Sequence, residues 1–105
     1  MPYRNALLKR SENVLQIKVD QELLEIVRAI KSEGKTSEEW EEIASDDMFQ
    51  SERFVGGYES IEDGFCFSYY DENQDEYWFQ FTLEEVERIL SSDLKVLNAR
   101  PAEKL

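Results

Sequence analysis

The sequence predicts an α+β domain: an antiparallel sheet of three to four strands with a C-terminal aromatic β-hairpin, packed on two to three helices in the order β-α-α-β-β-β-α. Three observations point there. Phe65, Phe67 and Tyr69, then Tyr77, Phe79 and Phe81, recur at every second position on either side of a polar stretch, the pattern of a two-stranded ribbon with one aromatic face. Behind Asp20 and Thr82, apolar residues recur at three- and four-residue spacing, the period of a helix stripe. The length of 105 residues with 41% hydrophobic content is enough for one core and too little for two. Residues 1–105 are therefore read as a single small acidic domain.

Residues 1–11 show no period and carry Arg4, Lys9 and Arg10, so a flexible arm is expected there. Asn13 to Val19 alternates imperfectly, with Ile17 and Val19 opposite Gln16 and Lys18, and predicts a short strand. Asp20 is placed to cap a helix over 21–32, with Leu23, Leu24, Val27 and Ile30 on its inner face and Gly34 as the stop. Thr36 and Ser37 ahead of Glu38 and Glu39 open a second helix, ending near 45–47, with Trp40, Ile43 and Ala44 turned inward. Met48 to Val55 reads as a strand entering a turn or bulge at Gly56-Gly57.

The aromatic hairpin comes next, over 65–70 and 77–81. Thr82 and Glu85 then form a T-x-x-E capping box, and Leu83, Val86, Ile89 and Leu90 define a helix from 83 to about 91. Leu94 to Leu97 suggests a short edge strand, or a cover for the second face of the hairpin, and 98–105 reads as a frayed tail.

Composition narrows the function. There is no stretch of the roughly 20 apolar residues that a membrane helix needs and no signal-peptide core, so a cytoplasmic location is expected. The lone Cys66 forms no intramolecular disulfide and suits a reducing compartment. Histidine is absent, which removes Ser-His and Cys-His nucleophile activation and histidine-ligated metals. The protein is accordingly expected not to be an enzyme and to need no cofactor. Cys66 has no basic neighbour in sequence to lower its pKa.

The formal charge of −12 is concentrated: seventeen acids and one base, Arg53, fall between Thr36 and Glu87. Such a block repels nucleic-acid phosphates and anionic membranes, and it favours a basic protein as partner. Two features fit that role. Glu38, Glu39, Glu42 and Asp46 form an acidic face around Trp40, while Tyr70 and Trp78 stand on the second face of the hairpin, with Tyr58 expected beside them. An aromatic pair ringed by acids is the composition of a binding hot spot.

The expected function is thus a non-enzymatic, acidic protein-interaction module, inhibitor- or adaptor-like, that binds a basic partner. One alternative is a divalent-cation module. Asp71, Asn73 and Asp75 place oxygen donors at the first three EF-hand ligand positions, but Glu76 stands where Gly is required and Thr82 where Glu closes the site. The other is a small carboxylate-dependent enzyme, which needs two acids about 5–10 Å apart beside a cleft that so short a chain has little volume to form. The plain counter-reading is that the acids only keep the protein soluble.

Overall fold

The computed structural model describes residues 14–60 and 64–102. The expected arm at 1–11, the Asp63 side of the turn before Gly64, and the last residues of the tail lie outside them. The chain runs β1 (Leu15–Lys18), α1 (Gln21–Glu33), α2 (Ser37–Glu42), β2 (Phe49–Gln50), β3 (Phe54–Glu59), β4 (Gly64–Tyr70), β5 (Glu76–Thr82), α3 (Leu83–Leu90) and β6 (Val96–Pro101). The strands form one antiparallel sheet in the order β1-β6-β5-β4-β3-β2. The α+β class holds, but the described residues form a sheet of six strands, not three or four.

The helices begin and end where local chemistry dictates. Asp20 caps α1 by accepting the Leu23 amide through Oδ1 at 3.0 Å, and Gly34 closes it in the left-handed region at φ 61°. Thr36 with Glu39 and Thr82 with Glu85 form reciprocal capping boxes that start α2 and α3. Helix α2 is shorter than predicted, ending at Glu42, and Ile43 and Ala44 are exposed instead of facing inward. Trp40 alone anchors it: its ring lies 5.1 Å edge-on to Phe65 and also meets Phe49 and Tyr58.

The hairpin register pairs Phe65 with Phe81, Phe67 with Phe79, and Tyr69 with Tyr77. These rings share one sheet face with Phe54, Tyr58, Ile17, Leu97 and Ala99, and the buried residues of α1, α2 and α3 cover that face in a single core. Burial of each fully enclosed Phe stabilises by about 1.5–3 kcal/mol, which makes the ring stack the main packing contribution.

Further readings of the sequence are corrected. Residues 96–101 are neither a frayed tail nor an edge strand: β6 lies between β1 and β5, pairing Leu97 with Ile17 and Trp78 with Arg100. The residues Leu94–Leu97 therefore do not cover the second face of the hairpin. Gly56 and Gly57 are not a turn but the middle of β3; the turn is at Ser51–Arg53. A Cβ on Gly56 would stand 2.6 Å from the Phe67 ring, and one on Gly57 would stand 2.0 Å from the Ser45 carbonyl oxygen, so close approach selects glycine at both positions. Because β3 is unbroken, Tyr58 falls on the buried face at 3% exposure, away from Trp78.

One polar cluster fastens the β2–β3 turn to the start of α1. Glu22 accepts from the Ser51 hydroxyl, the Arg53 amide and Arg53 Nε, while Arg53 Nη2 reaches Asp20 Oδ2. The guanidinium also lies over the rings of Phe54 and Tyr69, 5.6 Å from each centroid. Partial burial pushes the Asp20 and Glu22 carboxyls up, but the Leu23 amide on Asp20, the Ser51 hydroxyl and Arg53 amide on Glu22, and the Arg53 side chain on both outweigh it and hold both below their ordinary values.

Candidate functional site

The three helices occupy one face of the sheet, and the other presents a concavity of about 850 Å³. Strand alternation decides what lines it. On β5 the residues opposite the core are Glu76, Trp78 and Gln80; on β4 they are Cys66, Ser68 and Tyr70; β6 adds Asn98 and Arg100, and β3 adds Val55 and Glu59. Asp46 and Asp47 enter from the α2–β2 loop, which passes against Gly57 on this face. The Asp47 carboxylate accepts from the Ser45 hydroxyl at 2.6 Å, which holds the loop in shape.

Trp78 is the prominent apolar group, with 38% of its surface exposed. Glu76 Oε2 accepts both the indole Nε1–H, at 2.9 Å, and the Ser68 hydroxyl, at 2.7 Å, so the position of the ring is fixed by its polar edge. Val14 lines the same concavity at 41% exposure, and Val96 lies exposed farther along the same sheet face. Among the described residues, three of the four large exposed apolar side chains thus share this face; the fourth is Ile43 at the end of α2. Among the lining residues four carboxylates, Asp46, Asp47, Glu59 and Glu76, face one guanidinium, Arg100.

The predicted site residues divide between two places. Asp46 and Trp78 come together in the concavity, and Tyr70 shares its sheet face one residue pair along. Glu38, Glu39 and Glu42 lie on α2, which packs on the helix-bearing side through Trp40. Glu39 is moreover committed to its own helix: the Thr36 amide and hydroxyl hold its carboxyl below the ordinary range. Asp47, Glu59, Glu76, Arg100 and Val14 were not singled out by the sequence. Only Glu76 carried a signal, standing two residues before Trp78 and hence on its side of the strand.

The hairpin loop shows a different use of its oxygens. Asp71 Oδ1 accepts the amides of Asn73 and Asp75, each at 2.9 Å, and the Gln74 amide donates to the Asp71 carbonyl. This is an Asx-type turn, with Gln74 in the left-handed region at φ 66°. Among the described residues no group of three or more His, Cys, Asp or Glu is placed to hold a metal ion. Cys66 Sγ lies 3.8 Å from Gln80 Oε1 inside the concavity. A second, smaller cavity of about 200 Å³ lies between β1 and the Arg53 cluster, whose charged groups are engaged with one another. No helix among the described residues is long and apolar enough to cross a membrane. Comparison with protein-family models, with curated proteins and with solved structures finds no match.

Proposed function

We propose that this protein is a non-enzymatic, acidic protein-interaction module of the cytoplasm, and that it binds a basic segment of a partner protein on the open face of its sheet. One observation carries the reading: an oriented, solvent-facing Trp78 in a concavity where carboxylates outnumber cations four to one. An aromatic anchor supplies contact area at little entropic cost, and the surrounding carboxylates attract a Lys- or Arg-bearing chain and fix its placement. Glu76 serves the site through Trp78, since its Oε2 already holds the indole and Ser68. The lone cysteine and the acidic charge balance of the chain suit such a role in a reducing compartment.

The test is recovery of a basic partner from native lysate at low ionic strength, followed by titration of the purified pair. Association should weaken by about tenfold or more in Asp47→Lys/Glu59→Lys, and should weaken as salt rises. Trp78→Ala should raise the dissociation rate. Affinity that is indifferent to salt and to both substitutions refutes the proposal.

A further inference from the structure

The concavity has a candidate occupant within the same polypeptide. Val14, the first described residue, is itself part of its lining, so residues 1–13 join the described chain at the edge of the concavity. Their sequence, MPYRNALLKRSEN, carries Arg4, Lys9 and Arg10 against the single acid Glu12, with Tyr3 ahead of Arg4 and Leu7 and Leu8 ahead of Lys9. That composition complements a lining that brings together Trp78 and the four carboxylates Asp46, Asp47, Glu59 and Glu76. Reach is sufficient: Lys9 and Arg10 precede Val14 by four or five residues, which is up to roughly 13–17 Å of extended chain.

We propose that this basic stretch, centred on Leu8, Lys9 and Arg10, docks in the concavity in cis and competes there with the basic partner. The inference rests on the reading that the open sheet face takes a basic segment, and it adds regulation of that site. Tethering makes a weak contact effective, because a short linker holds its ligand at an effective concentration of about millimolar. A segment with an intrinsic dissociation constant of about 100 μM would then occupy the site most of the time and lower the apparent affinity of a competitor about tenfold. Release would come from a partner of higher affinity, from raised ionic strength, or from any modification that removes positive charge from the stretch.

The experiment uses the full chain labelled with ¹⁵N, as wild type and as Arg4→Glu/Lys9→Glu/Arg10→Glu, with a nonapeptide containing three arginines as the competing probe. In the wild type, the Trp78 Nε1–H signal and the amide signals of Gln80 and Asn98 should differ from those of the charge-reversed chain, and raising salt should move them toward it. The difference should not depend on protein concentration. The probe should bind the charge-reversed chain about tenfold more tightly than the wild type. Introducing Asp47→Lys/Glu59→Lys into the charge-reversed chain should restore the docked signals by swapping the signs.

Superimposable Trp78, Gln80 and Asn98 signals in wild type and variant overturn the proposal, as does a difference that scales with concentration, which would place a second copy in the site. Signals that differ while the probe binds neither chain leave docking in cis standing and refute the partner reading alone.

Discussion

Arg53→Ala tests the logic of the fold at its most connected polar point. The substitution removes the Nε bond to Glu22, the Nη2 bond to Asp20 and the packing over Phe54 and Tyr69, while Glu22 keeps the Ser51 hydroxyl and the residue-53 amide. A dry charge-assisted bond contributes about 1.5–3 kcal/mol. Here the Arg53 and Asp20 side chains are 40% and 42% exposed, so screening by water reduces each pair to about 0.5–1 kcal/mol. Loss of the ring contacts adds about 0.5 kcal/mol. The expected destabilisation is about 1.5–2.5 kcal/mol at pH 7, or roughly 6–12 °C in Tm for a domain of this size.

The same variant has a defined pH signature. Asp20 and Glu22 are held below their ordinary values of 3.8 and 4.5 in the folded chain. A carboxyl with a depressed folded pKa contributes stability that is fully present above its unfolded value and is lost as pH falls through the folded one. Urea titrations of wild type and Arg53→Ala should therefore run parallel from pH 7 to about 5.5 and draw together as pH falls below about 4, leaving the ring-contact difference of about 0.5 kcal/mol. A gap that stays constant down to pH 3 would show that the guanidinium acts through packing alone, and no gap at pH 7 would refute the cluster as a stabilising element.

Other outcomes rest on the same geometry. Phe79→Ala, at a site 4% exposed and in ring contact with Phe54, Phe67 and Phe81, should cost about 3–5 kcal/mol by urea denaturation; a loss under about 1 kcal/mol would contradict the packing described. Gly57→Ala forces its Cβ against the Ser45 carbonyl, so it should cost about 1–3 kcal/mol and shift the amide signals of Asp46 and Asp47, whereas an unshifted loop would contradict the close approach. Asp71→Ala leaves the Asn73 and Asp75 amides without their shared acceptor and should cost about 1 kcal/mol; a loss seen only after divalent cations are added would point to a metal role instead.

The features legible in the sequence are those that neighbouring residues decide. Asp20, Thr36 and Thr82 cap their helices through bonds to residues three positions on, and the aromatic ribbon announces itself by a period of two. The features that escape it are decided across the chain. Strand β6 buries only Leu97 and Ala99, and its meaning comes from partners at the other end of the sequence, such as Leu15 opposite Ala99. The turn that feeds it uses Ser92 at φ 68°, with no glycine to mark it. A turn at Gly56-Gly57 would break the alternation of β3 there, whereas the unbroken strand carries Tyr58 to the buried face. The concavity joins Val14, the Asp46–Asp47 loop, β3, β5 and β6, and no local window contains it.

The division of the acids over two sides of the molecule turns the choice between solubility device and binding face into a measurable difference. Glu38 and Glu42 belong to α2, which packs on the helix-bearing side through Trp40, and neither lines the concavity that Glu59 and Asp47 line on the open face. At physiological ionic strength charges are screened beyond about 8 Å, whereas at 0.01 M they act over about 30 Å. For a partner seated on the open face, Glu38→Lys/Glu42→Lys should therefore slow association at low salt and have almost no effect at about 0.15 M, where Asp47→Lys/Glu59→Lys still weakens binding through direct contact. The separation between the two variants should widen as salt rises. If the acids serve solubility alone, both pairs change colloidal behaviour in proportion to net charge, equally and at every ionic strength, and the two curves coincide.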